Sequence, residues 1–137
     1  MSKSISKRAH TTAKTALPDD IADAVTAAAS KKASDIVVLD LRKAAAFTDY
    51  FVVCTGQNAR QIKAISDAIE ETLAKRRLKP AHVEGYQRAE WVLLDYFDFV
   101  VHVFSEETRT FYGLERLWGN ATPVDLHDLL AVEPARL

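Results

Sequence analysis

Asp95 and His102 are the first residues in this chain whose types could do chemistry together. A carboxylate and an imidazole on neighbouring strands can orient one another and move a proton. Such a pair needs a nucleophile to become a catalytic site. No Ser or Cys stands nearby in a supporting motif, and Ser105 reads as a helix cap. Asp95 with Asp98 is a second constellation, since two acids close in space can share Mg²⁺ ions for nucleotidyl transfer. These two are separated by a turn rather than set on one strand face. Thr55-Gly56-Gln57-Asn58 falls between a strand and a helix, where backbone amides can hold an anion. One glycine is far short of a P-loop or dinucleotide fingerprint, so a tight turn with an N-cap is the plainer reading. His10, His82, His102 and His127 lack ligand spacing, and neither a metal nor another cofactor is expected. Lys75, Arg76, Arg77 and Lys79 complement a helix C-terminus, with a minor contact to RNA left open.

The elements that must position these residues are clearest in residues 90–120. This stretch holds both tryptophans, four of the six phenylalanines and two of the four tyrosines, more aromatic surface than one hairpin needs for its core. Two β-prone runs, 91–96 and 99–104, flank Phe97-Asp98 as a short hairpin turn. If Tyr96 opposes Phe99, one face carries Val92, Leu94, Tyr96, Phe99, Val101 and Val103 and belongs to the core. The other carries Trp91, Leu93, Asp95, Val100, His102 and Phe104. That mixed face is either covered by a helix, leaving Asp95 and His102 structural at its edge, or a docking surface of aromatic anchors ringed by charge. The helix after Ser105 places Phe111, Leu114, Leu117 and Trp118 on a buried stripe, with Arg109, Tyr112 and Arg116 flanking it and Gly119 as the stop.

Upstream, a helix begins at Pro18, with Asp19 and Asp20 in its first turn. Strands follow at 35–41 and 49–55, then a helix capped by Asn58 with Gln61 and running to about 77, then a short strand near 80–84. The expected fold is α/β: a mixed β-sheet of about five strands with helices packed on it. Residues 1–17 hold four cations and no acid, and read as a flexible basic tail. Residues 18–124 form the single α/β domain, and 125–137 a C-terminal tail or short helix.

Composition narrows the function classes. The net charge of −1 and pI of about 6.4 are a poor match to a protein whose main task is to track a phosphate backbone. The 120 residues after the tail carry 14 basic and 19 acidic side chains, a net of −5, so a partner with a basic surface would be steered toward them. Cys54 is the single cysteine, which excludes an intrachain disulfide and CxxC metal chemistry and suits a small buried hydrophobe. The longest apolar run is too short to cross a membrane. A reducing, cytoplasmic setting is expected.

The chain resembles the ribosomal silencing factor family, also called Iojap, over residues 18–124. The resemblance rests on Asp35-Ile36 with Leu39-Asp40, on Thr48-Asp49-Tyr50-Phe51-Val52-Val53 leading to Thr55-Gly56, and on Gln61. It continues through Glu84-Gly85, Trp91-Val92-Leu93-Leu94-Asp95-Tyr96, Asp98, Val101-His102-Val103-Phe104, Arg109, Phe111-Tyr112, Leu114-Glu115 and Leu117-Trp118. Three positions depart from the pattern: Phe97 stands where the family has Gly in the turn, Asn58 replaces Ser, and Asn120 replaces an acid.

The resemblance implies a non-enzymatic α/β sandwich, related to nucleotidyltransferases but lacking their catalytic acids. It implies docking on the large ribosomal subunit through ribosomal protein fourteen, which blocks subunit joining and represses translation under nutrient limitation. On that reading Trp91 is the apolar anchor, and Asp95, Asp98 and Glu115 face basic groups. His102, Arg109 and Tyr112 shape the rim. A homodimer through the same aromatic face is an accompanying expectation when the ribosome is absent. The alternatives are a Mg²⁺-dependent nucleotidyltransferase and a large-subunit assembly factor without silencing.

Overall fold

The computed structural model describes residues 17–130 apart from 45, 118 and 120, and only the backbone of Leu117. The elements are α1 (Asp19–Ser30), β1 (Ser34–Asp40), β2 (Tyr50–Gly56), α2 (Ala59–Ala74), β3 (His82–Glu84), β4 (Trp91–Asp95) and β5 (Phe99–Ser105). They continue as α3 (Glu106–Tyr112), α4 (Leu114–Leu117), β6 (Thr122–Pro123) and α5 (His127–Leu130). The strands form one mixed sheet in the order β3-β4-β5-β2-β1-β6. Only the central β2–β5 pair is parallel; the other pairs are antiparallel.

The mixed α/β sheet is as the sequence predicts, with six strands among the described residues rather than five. The added one is the two-residue edge β6, where Pro123 pairs with Leu39. Proline is tolerated there because an edge strand can leave its missing N–H facing outward.

One face of the sheet carries the larger core. Ile21, Val25, Ile62, Ile65, Ile69 and Leu73 from α1 and α2 pack on Val52, Cys54, Val92, Leu94, Val101 and Val103. Each such aliphatic side chain contributes roughly 1.5–3 kcal/mol when fully buried. Cys54 lies within this layer, and burial pushes its thiol up to about 12, so it behaves as a hydrophobe. Asn58 Oδ1 accepts the Gln61 amide at 2.8 Å, and the Gln61 side-chain amide donates to the carbonyls of Lys31 and Lys32. One cap thus ties the start of α2 to the end of α1.

The second face is thinner. Leu39, Leu41, Phe51, Val53, Val100 and Phe104 meet Leu114, with Trp91 and Leu93 at the border. Here the structure corrects an expectation. The helix after Ser105 is not continuous: Gly113 adopts φ +54 and its N–H bonds the Arg109 carbonyl, ending α3 as a left-handed C-cap. The break resets the helical phase. Leu114 turns into the core, whereas Phe111, expected on the buried stripe, is 78% exposed. Trp118 and the Leu117 side chain fall outside the described residues, as do residues 1–16 and 131–137. Leu17, at the end of the expected tail, packs against the larger core, and so do Leu126, Leu129 and Leu130 around α5.

The hairpin register is Trp91 opposite Phe104 through Asp95 opposite Val100, closed by the Tyr96 N–H donating to the Phe99 carbonyl at 2.9 Å. Phe97 takes φ +81, and the Asp98 N–H bonds the Tyr96 carbonyl across it at 2.9 Å. A three-residue bond at that φ is a γ-turn, a strained conformation for a side chain with a Cβ. The Asp95 carboxylate holds it by accepting the Phe97 amide at 2.8 Å. Left-handed backbone costs a non-glycine residue about 1–2 kcal/mol, against about 0.5–1 kcal/mol for the extra chain entropy of glycine. Phe97→Gly should therefore raise stability by roughly 0.5–1 kcal/mol, seen as a higher urea midpoint with an unchanged slope; a lower midpoint would mean that the turn is not strained.

Candidate functional site

The open part of the second face is a strip along β4. Trp91, Leu93 and Asp95 alternate onto it and are all half-buried. At about 3.3 Å per residue, Trp91 and Asp95 stand about 13 Å apart along the strand. The strip therefore has an aromatic end and an acidic end.

At the aromatic end the rings form a ladder that runs from solvent into the core. Phe111 meets Tyr112 edge-on at 4.9 Å between centroids, and Tyr112, 48% exposed, lies 4.8 Å from Trp91. Trp91 packs on Phe104 at 4.9 Å and beside His102, which meets Phe51 edge-on at 4.6 Å. Contacts at these separations add about 0.5–1.5 kcal/mol each beyond the area they bury. Gly85, with φ +79, allows the chain to pass close to this end: a Cβ there would sit 2.1 Å from the Trp91 carbonyl oxygen. Gly85, Arg88, Glu90, Trp91, Thr108 and Tyr112 enclose a small hollow of about 160 Å³. A larger cleft of about 650 Å³ opens beside it between the start of α2 and α3.

The residues expected at the site divide into those that face outward and those that hold the others in place. Trp91, Tyr112, Asp95 and Asp98 reach the surface. His102 does not: it is 3% exposed and cannot form a rim. Its Nδ1 accepts the Trp91 indole N–H at 3.1 Å, so it fixes the Trp91 ring from beneath. Arg109 and Glu115, expected to face a partner, are turned onto each other through two bonds to one Glu115 oxygen. Arg109 also donates to the Asp35 carbonyl and to Thr55 Oγ1 at 2.7 and 2.8 Å. It thereby ties α3 to the starts and ends of two strands. Burial alone would raise the Glu115 carboxyl, but the hydrogen bond and charge of Arg109 hold it below the ordinary range. The sequence reading missed Phe111 as a surface member of the strip, whereas alternation along β4 set Leu93 on the mixed face.

Asp95 is engaged in the turn, and among the described residues no cluster of three or more His, Cys, Asp or Glu side chains is placed to hold an ion.

Comparison with known proteins gives a consistent match. Residues 14–136 match the profile of the family described as "Ribosomal silencing factor during starvation". The chain is 36% identical over 108 residues to a ribosomal silencing factor from Halalkalibacterium halodurans, covering 79% of this chain and 92% of that protein. It is 39% identical to the ribosomal silencing factor of Bacillus subtilis over 75% of this chain and 87% of that one. The chloroplastic Iojap protein of Zea mays is 40% identical over 73% of this chain, which spans 43% of that longer protein. A crystal structure of a Chromobacterium violaceum protein superposes with a TM-score of 0.71 at 34% identity, over 74% of this chain and 84% of that one.

The His102–Trp91 bond has a pH signature. Burial depresses the imidazole to about 4, because a charged ring would be unsolvated and its second proton would face the indole N–H. With an ordinary value near 6.5 in the unfolded chain, the unfolded state binds more protons between the two values. Stability from this group is complete above about pH 6.5 and is lost as pH falls toward 4. Between pH 7 and pH 4.5 it should account for a loss of roughly 2 kcal/mol. His102→Asn keeps an acceptor for Trp91 but cannot titrate. Urea unfolding at the two pH values should show the loss shrinking by about that amount in the variant, and an unchanged loss would relieve His102 of the role.

Proposed function

This chain belongs to the ribosomal silencing factor family, and from that premise we propose that it docks on the large ribosomal subunit through ribosomal protein fourteen and excludes the small subunit. The observation that carries this reading is the strip itself: an aromatic anchor open to solvent at one end and acids at the other, on a domain with net negative charge.

The physical roles divide as follows. Tyr112 and Trp91 supply rigid apolar area that loses little side-chain freedom on binding, the kind of residue that dominates interface energetics. Asp95 and Asp98 steer a basic partner surface and fix the register of docking, while contributing less to the final affinity. Arg109 with Glu115 and the His102–Trp91 bond hold the anchor in its bound geometry before the partner arrives, which lowers the ordering cost of association. Repression then requires no chemistry. A folded domain seated on the joining surface occupies volume that the small subunit needs, and translation falls while it stays bound, as would suit nutrient limitation. The cytoplasm is the setting this implies. No helix among the described residues is long and apolar enough to cross a membrane. When free of the ribosome, the same exposed rings can pair two copies of the chain.

Trp91 packs inward on Phe104, so truncating it would disturb the fold as well as the surface. Tyr112→Ala and Asp98→Lys are the cleaner probes, because the Asp95 carboxylate also holds the turn at Phe97. Wild type should pellet with purified large subunits and not with small subunits or joined ribosomes. Tyr112→Ala should weaken that binding by about thirtyfold or more, as loss of a hot-spot aromatic does. Asp98→Lys should weaken it further as salt is lowered. Full binding by both variants, with unchanged circular dichroism, would remove the strip as the docking site.

A further inference from the structure

At the acidic end of the strip two loops from distant parts of the chain are joined. The Thr48 hydroxyl donates to the Phe97 carbonyl at 2.9 Å, and the Asp49 amide donates to the Asp98 carbonyl at 3.0 Å. Thr48 is itself buried, so this junction is a built part of the fold. What it presents is unusual for a surface loop: Phe47 is 82% exposed and Phe97 78% exposed. Neither ring is needed by the core, and Phe97 is held in the strained γ-turn. A backbone outlier that the surroundings hold in place, carrying an exposed aromatic ring, is the kind of feature that marks a binding element.

Charge identifies the partner. Asp49 and Asp98, in the two joined loops, are exposed, Asp95 is half-exposed and bonds the Phe97 amide, and Asp40 stands opposite Tyr50 on the neighbouring strand. The nearby cations are Arg42, which is paired with Asp40 at 2.8 Å, and Lys43. The local balance is acidic. Nucleic acid would be repelled here, and a second copy meeting this surface head to head would oppose like charges. An apolar knuckle within an acidic surround fits a protein surface on which Lys or Arg side chains border an aliphatic patch.

We propose that the Phe47–Phe97 knuckle is a second docking element, seating on a basic protein surface of the large ribosomal subunit beyond the contact made by Trp91 and Tyr112. This rests on the docking role proposed above and extends it by about the length of β4. Two anchors on one rigid sheet would bind with a fixed spacing, so they set the orientation of the domain as well as its affinity.

The test uses the full chain and purified large subunits in quantitative co-sedimentation, with Phe97→Gly, Phe47→Ser and the double variant. Phe97→Gly relaxes the backbone, so weaker binding by it cannot come from lost folding. Each single change should weaken binding about tenfold and the double more, with Asp49→Lys weakening it further. Wild-type binding that is unchanged in the double variant would overturn the knuckle while leaving the strip intact. A wild-type chain that pellets with no particle would overturn the docking role and this inference together. Analytical ultracentrifugation of the same variants gives the remaining outcome: loss of a dimer, without loss of subunit binding, would assign the knuckle to a second copy and sink the proposal.

Discussion

The constraint on which most of this structure depends is the register of the β4–β5 hairpin. Because side chains alternate across a strand, the pairing of Tyr96 with Phe99 decides the face of every residue on both strands. A slip of one residue would turn β4 over against β5, taking Val92 and Leu94 out of the larger core and bringing Trp91, Leu93 and Asp95 into it. Two buried aliphatic side chains would be exposed at roughly 1.5–3 kcal/mol each, and a carboxylate would lose its water. That penalty is large enough to enforce the register even though the turn closing it is strained at Phe97. The hairpin dictates the turn rather than the reverse.

With the register fixed, the site follows from a division of labour. The residues with the most chemical character are not those that face outward. His102 keeps its acceptor nitrogen on the Trp91 indole, and its Nε2 has no partner among the described residues. Arg109 spends its donors on Glu115, Asp35 and Thr55. Both are positioning residues. Removing either would leave an uncompensated polar group in a thin core, so their effect on the proposed docking would come through the placement of Trp91 and α3. The outward surface is left to groups whose contribution is area and charge.

Much of this arrangement is legible in the sequence, and the exceptions have physical causes. The two hairpin faces follow from alternation alone once the turn is set, and Asn58 and Ser105 cap their helices as their positions suggest. The helix after Ser105 was harder, because Phe111, Leu114, Leu117 and Trp118 fit one helical stripe and Gly113 tolerates a helix interior. Only the left-handed cap, stabilised by the Arg109 carbonyl, shows that the stripe is broken. The types of His102, Arg109 and Glu115 marked them as functional, whereas their burial and mutual pairing depend on contacts up to 74 positions apart in the chain, which no local pattern encodes. Phe47 carried no signal at all, since an aromatic residue in a loop is read as core until its exposure is known.

The separation of the aromatic and acidic ends along β4 has a consequence for specificity. Exposed rings gathered into one patch would favour self-association, because any two apolar patches attract. Spread over about 13 Å of a rigid strand, with acids at one end, the same rings are satisfied together only by a partner with matching spacing and opposite charge. A second copy of the chain can bury one set of rings but brings acid toward acid when it reaches for both. For the docking proposed above, strand geometry would thus favour the heterologous partner over the homodimer.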